Sequence, residues 1–357
     1  MSASALVRLA AGLLLAMPLL AAAVPRYSVT VLAGAGSRAW DINLAGEVVG
    51  DNGGNAWLHS GGAYIDLGSG SARGINDLGQ VAGESGNAGF LYSGGVMTAI
   101  TNDGPVLVRG INNDGVVVGR TDYPDAENGF VRRAFSWQDG VMTNLGTVYG
   151  FQSQAYAIND LGHVVGGTDI GGAPNYPLTP FLYRDGAMQD IGQGFAGPWS
   201  EALGINDLDQ VVGYGGYSSD GPNLYPRSAF LWDDGSMLDL GVLTGSVDSY
   251  AEDINNLSQV VGFHGEFLNT RAFLYENGVM RDIDALIDPA SGWTVAEAYA
   301  INDLGQIAGT ACRDGACYAV RLDLVPAVPE PATWAMLLAG CTLAGWRRRA
   351  RKSSVVR

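Results

Sequence analysis

From Val24 to Pro326 the apolar residues fall in short runs of four to six, and no stretch keeps a helical period. The runs are rich in Val, Ile, Phe, Trp and Tyr and are bounded by Gly, Asn and Asp, the pattern of strands joined by turns. They recur in a fixed order of four: a run entering Ile-Asn, a Val-Val-Gly run, an Ala-Phe-Leu-Trp/Tyr run and a Met-x-Asp-Leu run. The first two are joined by a repeated motif. It reads INDLGQVAG at 75–83, INDLGHVVG at 158–166, INDLDQVVG at 205–213 and INDLGQIAG at 301–309, with looser copies at 42–50, 111–119 and 254–262. The seven copies are spaced 33, 36, 47, 47, 49 and 47 residues apart. A second block follows each copy except the last, as in AFSWQDGVMTNLG (134–146) and AFLWDDGSMLDLG (229–241).

Turn chemistry accounts for the constant residues. In Asn-Asp-x-Gly the Asx side chain bonds nearby backbone and Gly takes positive φ. Asp-Gly or Asn-Gly in the second block turns the third strand into the fourth. Seven copies of one catalytic constellation are improbable beside that reading.

Four strands in each of seven repeats predict an all-β fold, a seven-bladed β-propeller, with an open solenoid as the alternative. The ends favour closure. The last repeat has its third strand, CYAVRLDL (317–324), and no fourth, whereas YSVTVLAG (27–34) is an orphan strand at the start. Pairing the N-terminal strand into the last blade closes the circle and removes two sheet edges.

The rest of the chain of 357 residues is read as address labels. Residues 1–23 carry Arg8, then an apolar run ending in Ala21, Ala22 and Ala23, as in a secretory signal peptide cleaved after Ala23; an N-terminal membrane anchor is the alternative. Residues 326–357 contain Pro329-Glu330-Pro331, an uncharged stretch predicting a single transmembrane helix over 332–346, and Arg347, Arg348 and Arg349. Sixteen uncharged residues reach only about 24 Å, and Trp346 with snorkelling Arg side chains makes up the rest of the span. The three parts in this order resemble the PEP-CTERM sorting signal of Gram-negative bacteria. The resemblance implies handling by signal peptidase and an exosortase, a transient inner-membrane stage, and delivery to the cell surface or its polysaccharide matrix. A plain anchor is the alternative.

The repeats themselves, over roughly 27–324, resemble the HAF family of extracellular bacterial repeats. The naming His is replaced in RAF (133–135), SAF (228–230) and RAF (271–273). The resemblance implies an exported repeat protein and no particular activity.

Charge narrows the partners. The body between Val24 and Pro331 carries 36 acids, 13 arginines and no lysine, a formal charge of −23. Such a body repels nucleic acid and anionic membranes. A phosphate loop with Lys is excluded, no zinc spacing is present, and no catalytic residue, metal site or cofactor is read from the chain. His59, His163 and His264 belong to different repeats and read as surface residues, His264 in a connecting loop. Asp233-Asp234 belongs to a turn, and DYPDAEN (122–128) fits no calcium loop. Cys312 and Cys317 flank RDGA, a hairpin turn across which a disulfide can form; two free thiols are the alternative.

Within 24–325 the connections of varying length, second-to-third and fourth-to-first, share one face, which is where binding is expected. The residues 120–133 read as a connection of this kind, 14 residues long. These connections carry Tyr123, Tyr149, Phe151, Tyr176, Trp199, Tyr214, Tyr217, Tyr225, Phe263 and Trp293; Trp199, Tyr217 and Trp293 are the candidate platforms for sugar rings. Packing of the same rings onto the rim is the competing reading. Two function classes remain: a surface or matrix binding protein engaging exopolysaccharide or a surface partner, and a secreted carbohydrate-active enzyme with acids gathered at the propeller channel.

Overall fold

The computed structural model describes residues 26–127, 129–171, 178–193, 199–216, 227–265 and 269–325. Among them, seven four-stranded sheets are ordered as up-and-down meanders. The first six blades span residues 38–69, 71–100, 106–146, 153–190, 201–241 and 249–282. The seventh is Thr294–Ile301, Ile307–Arg313 and Ala316–Val325, with Arg26–Ala35 from the chain start as its outermost strand. Here Gly36 N donates to Cys317 O at 2.8 Å and Ser28 Oγ to Asp323 O at 3.3 Å.

Seven hydrophobic clusters each join one pair of adjacent blades. Blade 2 contributes Ala82 and Ile100 to the cluster it shares with Phe135 and Trp137 of blade 3. The closing cluster packs Leu32 of the N-terminal strand and Trp57 of blade 1 against Ala300, Ala308 and Ala319 of blade 7. The aromatic of the third strand is the centrepiece. Trp57, Phe135, Phe181, Phe230 and Phe273 are all 0% exposed, each worth about 1.5–3 kcal/mol of burial. The third-to-fourth turns place two residues at positive φ, as at Asp139-Gly140 (49° and 85°) and Asn277-Gly278 (52° and 78°), the hairpin geometry that Asp-Gly and Asn-Gly favour.

Every inner strand carries a β-bulge. The register slips between Ala39 and Asp41, Ala72 and Gly74, Val108 and Gly110, Ala155 and Ala157, Ala202 and Gly204, Ala251 and Asp253, and Ala298 and Ala300. The glycine of Val-Val-Gly sits opposite the strand segment that leads into this bulge. A Cβ on Gly262 would lie 1.9 Å from the Tyr250 carbonyl oxygen, so the close approach of backbones fixes the residue.

Three expectations are corrected. The stretch 120–133 is not an open loop: Val117–Asp125 and Gly129–Gln138 pair from Val117↔Trp137 to Asp125↔Gly129, because Thr121, Tyr123, Phe130 and Val131 extend the ladder as β-formers. Tyr123, Tyr214 and Phe263 therefore lie on strands. His264 ends the strand Val260–His264 and is only 5% exposed, its Nδ1 2.6 Å from Ser246 Oγ.

Candidate functional site

The extra residue of each bulge faces the propeller axis. Trp40, Arg73, Arg109, Tyr156 and Tyr299, with Leu203 and Glu252, line a central channel of about 290 Å³. A bulge re-aims its side chain out of the pleat, and here it does so at the same point in all seven blades.

One end of the channel is ringed by asparagines. Asn43, Asn76, Asn112, Asn159, Asn206, Asn255 and Asn302 are 3–7% exposed. Each donates Nδ2 to the main-chain oxygen of the next Asn at 2.9–3.1 Å, and Asn302 returns to Asn43 to close the ring. Each Asn Oδ1 also accepts the amide four residues on, as from Gln210 N at 2.9 Å. A second ring lies on the following residue, where Asp77 N meets Asn113 Oδ1 and Asn256 N meets Asp303 Oδ1, both at 2.8 Å. Leu44 occupies its seventh position. The repeated Ile-Asn-Asp is thus inter-blade stitching as well as turn chemistry. His163 Nδ1 reaches Asp209 Oδ1 of the next blade at 2.7 Å; Asp209 stands at φ 60° where five of the other copies have Gly and one has Ser258, at φ 58°.

The channel wall is asymmetric. Arg73 lies over the Trp40 ring at 4.3 Å and pairs with Glu84 at 3.3 Å, while Arg109 is 4.0 Å from the same carboxylate. The other side carries Glu252, which has no hydrogen-bond partner among the described residues. Burial, with Glu297, Asp253 and Glu201 nearby, pushes its carboxyl up to about 8. Burial also raises Asp41 to about 7 and Asp253 to about 6. These two are structural: Asp41 accepts the amides of Ile42 and Ile75, and Asp253 those of Ile254 and Ile301, all at 2.8 Å. Among the described residues no group of His, Cys, Asp or Glu is arranged to hold a metal ion.

A second cavity, of about 400 Å³, opens between blades 3 and 4. Arg120 and Arg132 of blade 3, Gln152, Ser153 and Gln154 at the start of blade 4, and Trp199 ahead of blade 5 form most of its wall. The backbone of Trp199 is held at φ 79°, a conformation a bulky residue seldom adopts. Gln154 Nε2 and Tyr156 Oη donate to Glu201 Oε1 at 2.6 and 3.0 Å, and Tyr214 Oη to Oε2, so this buried carboxylate is satisfied.

The expected platforms divide. Trp199 walls the cavity. Trp293 stands edge-on to Tyr318 at 5.7 Å with Arg313 4.2 Å over its ring. Tyr217, Tyr176 and Tyr225 lie outside the described residues. So do Ala21 and Ala23, Pro329-Glu330-Pro331, Arg347, Arg348 and Arg349, and the helix expected over 332–346; among the described residues no helix is long and apolar enough to cross a membrane. A disulfide joins Cys312 and Cys317, directly opposed across their hairpin. Sequence reasoning missed the bulge residues and the two cavity arginines. The signal for the former was present: two places before each Ile-Asn, a nearly constant repeat reads Trp, Arg, Arg, Tyr, Leu, Glu, Tyr.

The fold and the tail together define a seven-bladed β-propeller bearing a surface-sorting signal: residues 327–352 match the PEP-CTERM protein-sorting motif, the exosortase recognition signal of proteins exported toward the cell surface. The chain belongs to the family described as protein of unknown function DUF3466, whose pattern matches residues 107–321. No curated protein matches the sequence. Among solved structures, the β-propeller domain of the Trilobed protease from Pyrococcus furiosus, described as an open velcro topology, aligns at TM-score 0.54 and 10% identity, over 82% of this chain and 95% of that one. Pyrococcus horikoshii acylaminoacyl peptidase aligns at TM-score 0.49 and 12% identity over 79% of this chain, which spans about half, 51%, of the peptidase. TolB from Acinetobacter baumannii gives TM-score 0.42 and 14% identity over 70% of this chain and 62% of that one. The first of these likenesses shows the propeller fold and nothing of activity.

Proposed function

We propose that the protein is a binding propeller of the cell surface or its matrix, engaging exopolysaccharide through the face that carries the varying connections. The observation that carries this reading is Trp199, held by an uncommon backbone conformation at the wall of a 400 Å³ cavity beside Gln152, Gln154 and two arginines. An indole face with amide and guanidinium donors around it suits a sugar ring with its hydroxyls. Export belongs to the same reading: a signal peptide at 1–23, a transient inner-membrane stage held by the helix at 332–346, and release to the surface by an exosortase. The alternation of A-x-x-I-N-D-x-G with A-F-L-Y-x-D-G supports grouping the repeats with the HAF type.

The test is retention of the exported protein on the producing cell's immobilised exopolysaccharide. Trp199→Ala is expected to weaken binding on the order of tenfold, about 1.4 kcal/mol, with an unchanged melting curve. Equal retention of both proteins would sink the sugar-binding face.

One observation favours a second reading, a carbohydrate-active enzyme. Glu252, raised to about 8 in the channel, is a carboxylic acid able to donate a proton at neutral pH. Incubating the same polysaccharide with the protein and with Glu252→Gln tests it; no change in polymer length with either rules it out.

A further inference from the structure

Of the 13 arginines in this acidic body, Arg109, Arg120, Arg132 and Arg133 all belong to blade 3. Arg120 and Arg132 project from the face of that blade turned toward blade 4, two rungs apart on the paired strands, where Arg120 opposes Ala134 and Arg132 opposes Asp122. Both line the cavity, and neither makes an ion pair or side-chain hydrogen bond in the described structure. Arg120 Nε is buried without a partner among the described residues. Asp122, the nearest carboxylate by register, is not within ion-pair distance of either. The next acid along the wall, Glu201, is committed to Gln154, Tyr156 and Tyr214. Burial and the neighbouring Arg132 and Arg109 all disfavour the charged form of Arg120.

Holding together two guanidiniums that repel each other, one with a buried donor that no described residue satisfies, is costly. An anion relieves it. Guanidinium forks match the planar two-oxygen edge of a carboxylate, and Trp199 on the same wall supplies a flat apolar surface for the ring that bears it. The charge of the remaining body does not forbid this. At physiological salt, fields fade over about 8 Å, so a carboxylate in the cavity responds to the two arginines more than to distant acids.

We propose that the cavity between blades 3 and 4 is a subsite for the carboxylate of an acidic sugar, held by Arg120 and Arg132 with its ring on Trp199. The proposal deepens the polysaccharide reading and rests on it: the matrix polymer recognised here is one built with uronic acids.

Calorimetric titration of the full exported protein with galacturonic acid oligomers and with the same oligomers carboxyl-reduced to galactose tests this. The acidic oligomers should bind at least about tenfold more tightly than the reduced ones. Arg132→Ala, at an exposed position, should weaken acidic-oligomer binding about ten- to a hundredfold and leave the reduced oligomers unaffected. Arg120→Lys, which keeps the charge and loses the fork, should fall between. Equal affinity for acidic and reduced oligomers, or no effect of either substitution, overturns the carboxylate subsite while sugar binding stands. Binding of neither oligomer, with Trp199→Ala unchanged on the native polymer, fails the polysaccharide reading itself. Inorganic phosphate is the remaining arm: heat with phosphate and none with the acidic oligomers overturns the proposal in favour of a site for small anions.

Discussion

Leu44 interrupts the outer of the two rings that stitch the blades together, and Leu44→Asn is expected to complete it. At the other six positions an Asp or Asn carries an oxygen that accepts the preceding repeat's amide, as Asp77 Oδ1 does from Leu44 N at 2.7 Å and Asn256 Oδ1 from Asp207 N at 2.8 Å. The Asp303 amide, next in the circle, meets leucine and has no such acceptor. Asn113 and Asn256 also bridge the carboxylates on either side, Asp77 and Asp160 at 3.0 and 2.7 Å, Asp207 and Asp303 both at 3.0 Å. Asparagine at 44 would accept from Asp303 N and donate to Asp303 and Asp77. Leu44 is 45% exposed, so little apolar burial is given up. Up to three part-exposed hydrogen bonds at the low end of about 0.5–1.5 kcal/mol each give a gain of about 1–2 kcal/mol. In a domain of this size that is a rise of roughly 2–4 °C in Tm and a matching shift in urea midpoint at unchanged slope. Leu44→Asp restores the acceptor without the bridging amide and adds a fifth carboxylate, so it should lie below Leu44→Asn, most clearly at low salt. A Leu44→Asn protein no more stable than the parent would refute the stitching account of Ile-Asn-Asp.

Deleting residues 24–34 removes Tyr27 and Leu32, 3% and 6% exposed, and bares the edge of blade 7; aggregation or a broadened, less cooperative melt is expected, and an unchanged transition would contradict closure by this strand. Asp41, Asp253 and Glu252, folded at about 7, 6 and 8, all lie above their unfolded values near 4, so the folded state holds more protons between about pH 4 and 8. Stability should therefore be greatest at the acidic end of that window and fall as pH rises through 6–8; Glu252→Gln should flatten the upper part and gain at most a few kcal/mol at pH 9, little at pH 5, and equal pH profiles for both proteins would remove Glu252 as a cause. Replacing Pro329-Glu330-Pro331 by alanine should leave the protein in the inner-membrane fraction, and normal arrival at the surface would show that the tail does not act as a sorting signal.

The blades were legible because their evidence is local. Runs such as AFLW, turns such as Asp-Gly and the orphan strand at 27–34 each specify one strand or turn, and the circle follows from counting them. The Asn ring was half legible: the turn role of Asn206 follows from its own loop, but its bond to Asn255 O crosses 49 residues and appears only when blades are set side by side. The channel ring was hidden because a strand's alternation assigns Arg73 or Glu252 to a blade face, and only the bulge turns it to the axis. Arg120 and Arg132 were lost in what read as a loop, since the ladder from Asp122↔Arg132 to Asp125↔Gly129 depends on pairing that composition does not reveal. The contacts of Trp293 were hidden for a related reason: its partners Tyr318 and Arg313 lie on strands of the same blade that no spacing rule connects to it.

The most direct measurement of where the protein binds is amide hydrogen exchange of the exported protein with and without the producing cell's polysaccharide. Slower exchange is expected around residues 118–123, 130–134, 152–154 and at the amides flanking Trp199, with the Ile-Asn-Asp turns at 43–47, 206–210 and 302–306 unchanged because they lie at the opposite end of the strands. Protection confined to those turns, or none on the Trp199 face at saturating polymer, would contradict the account.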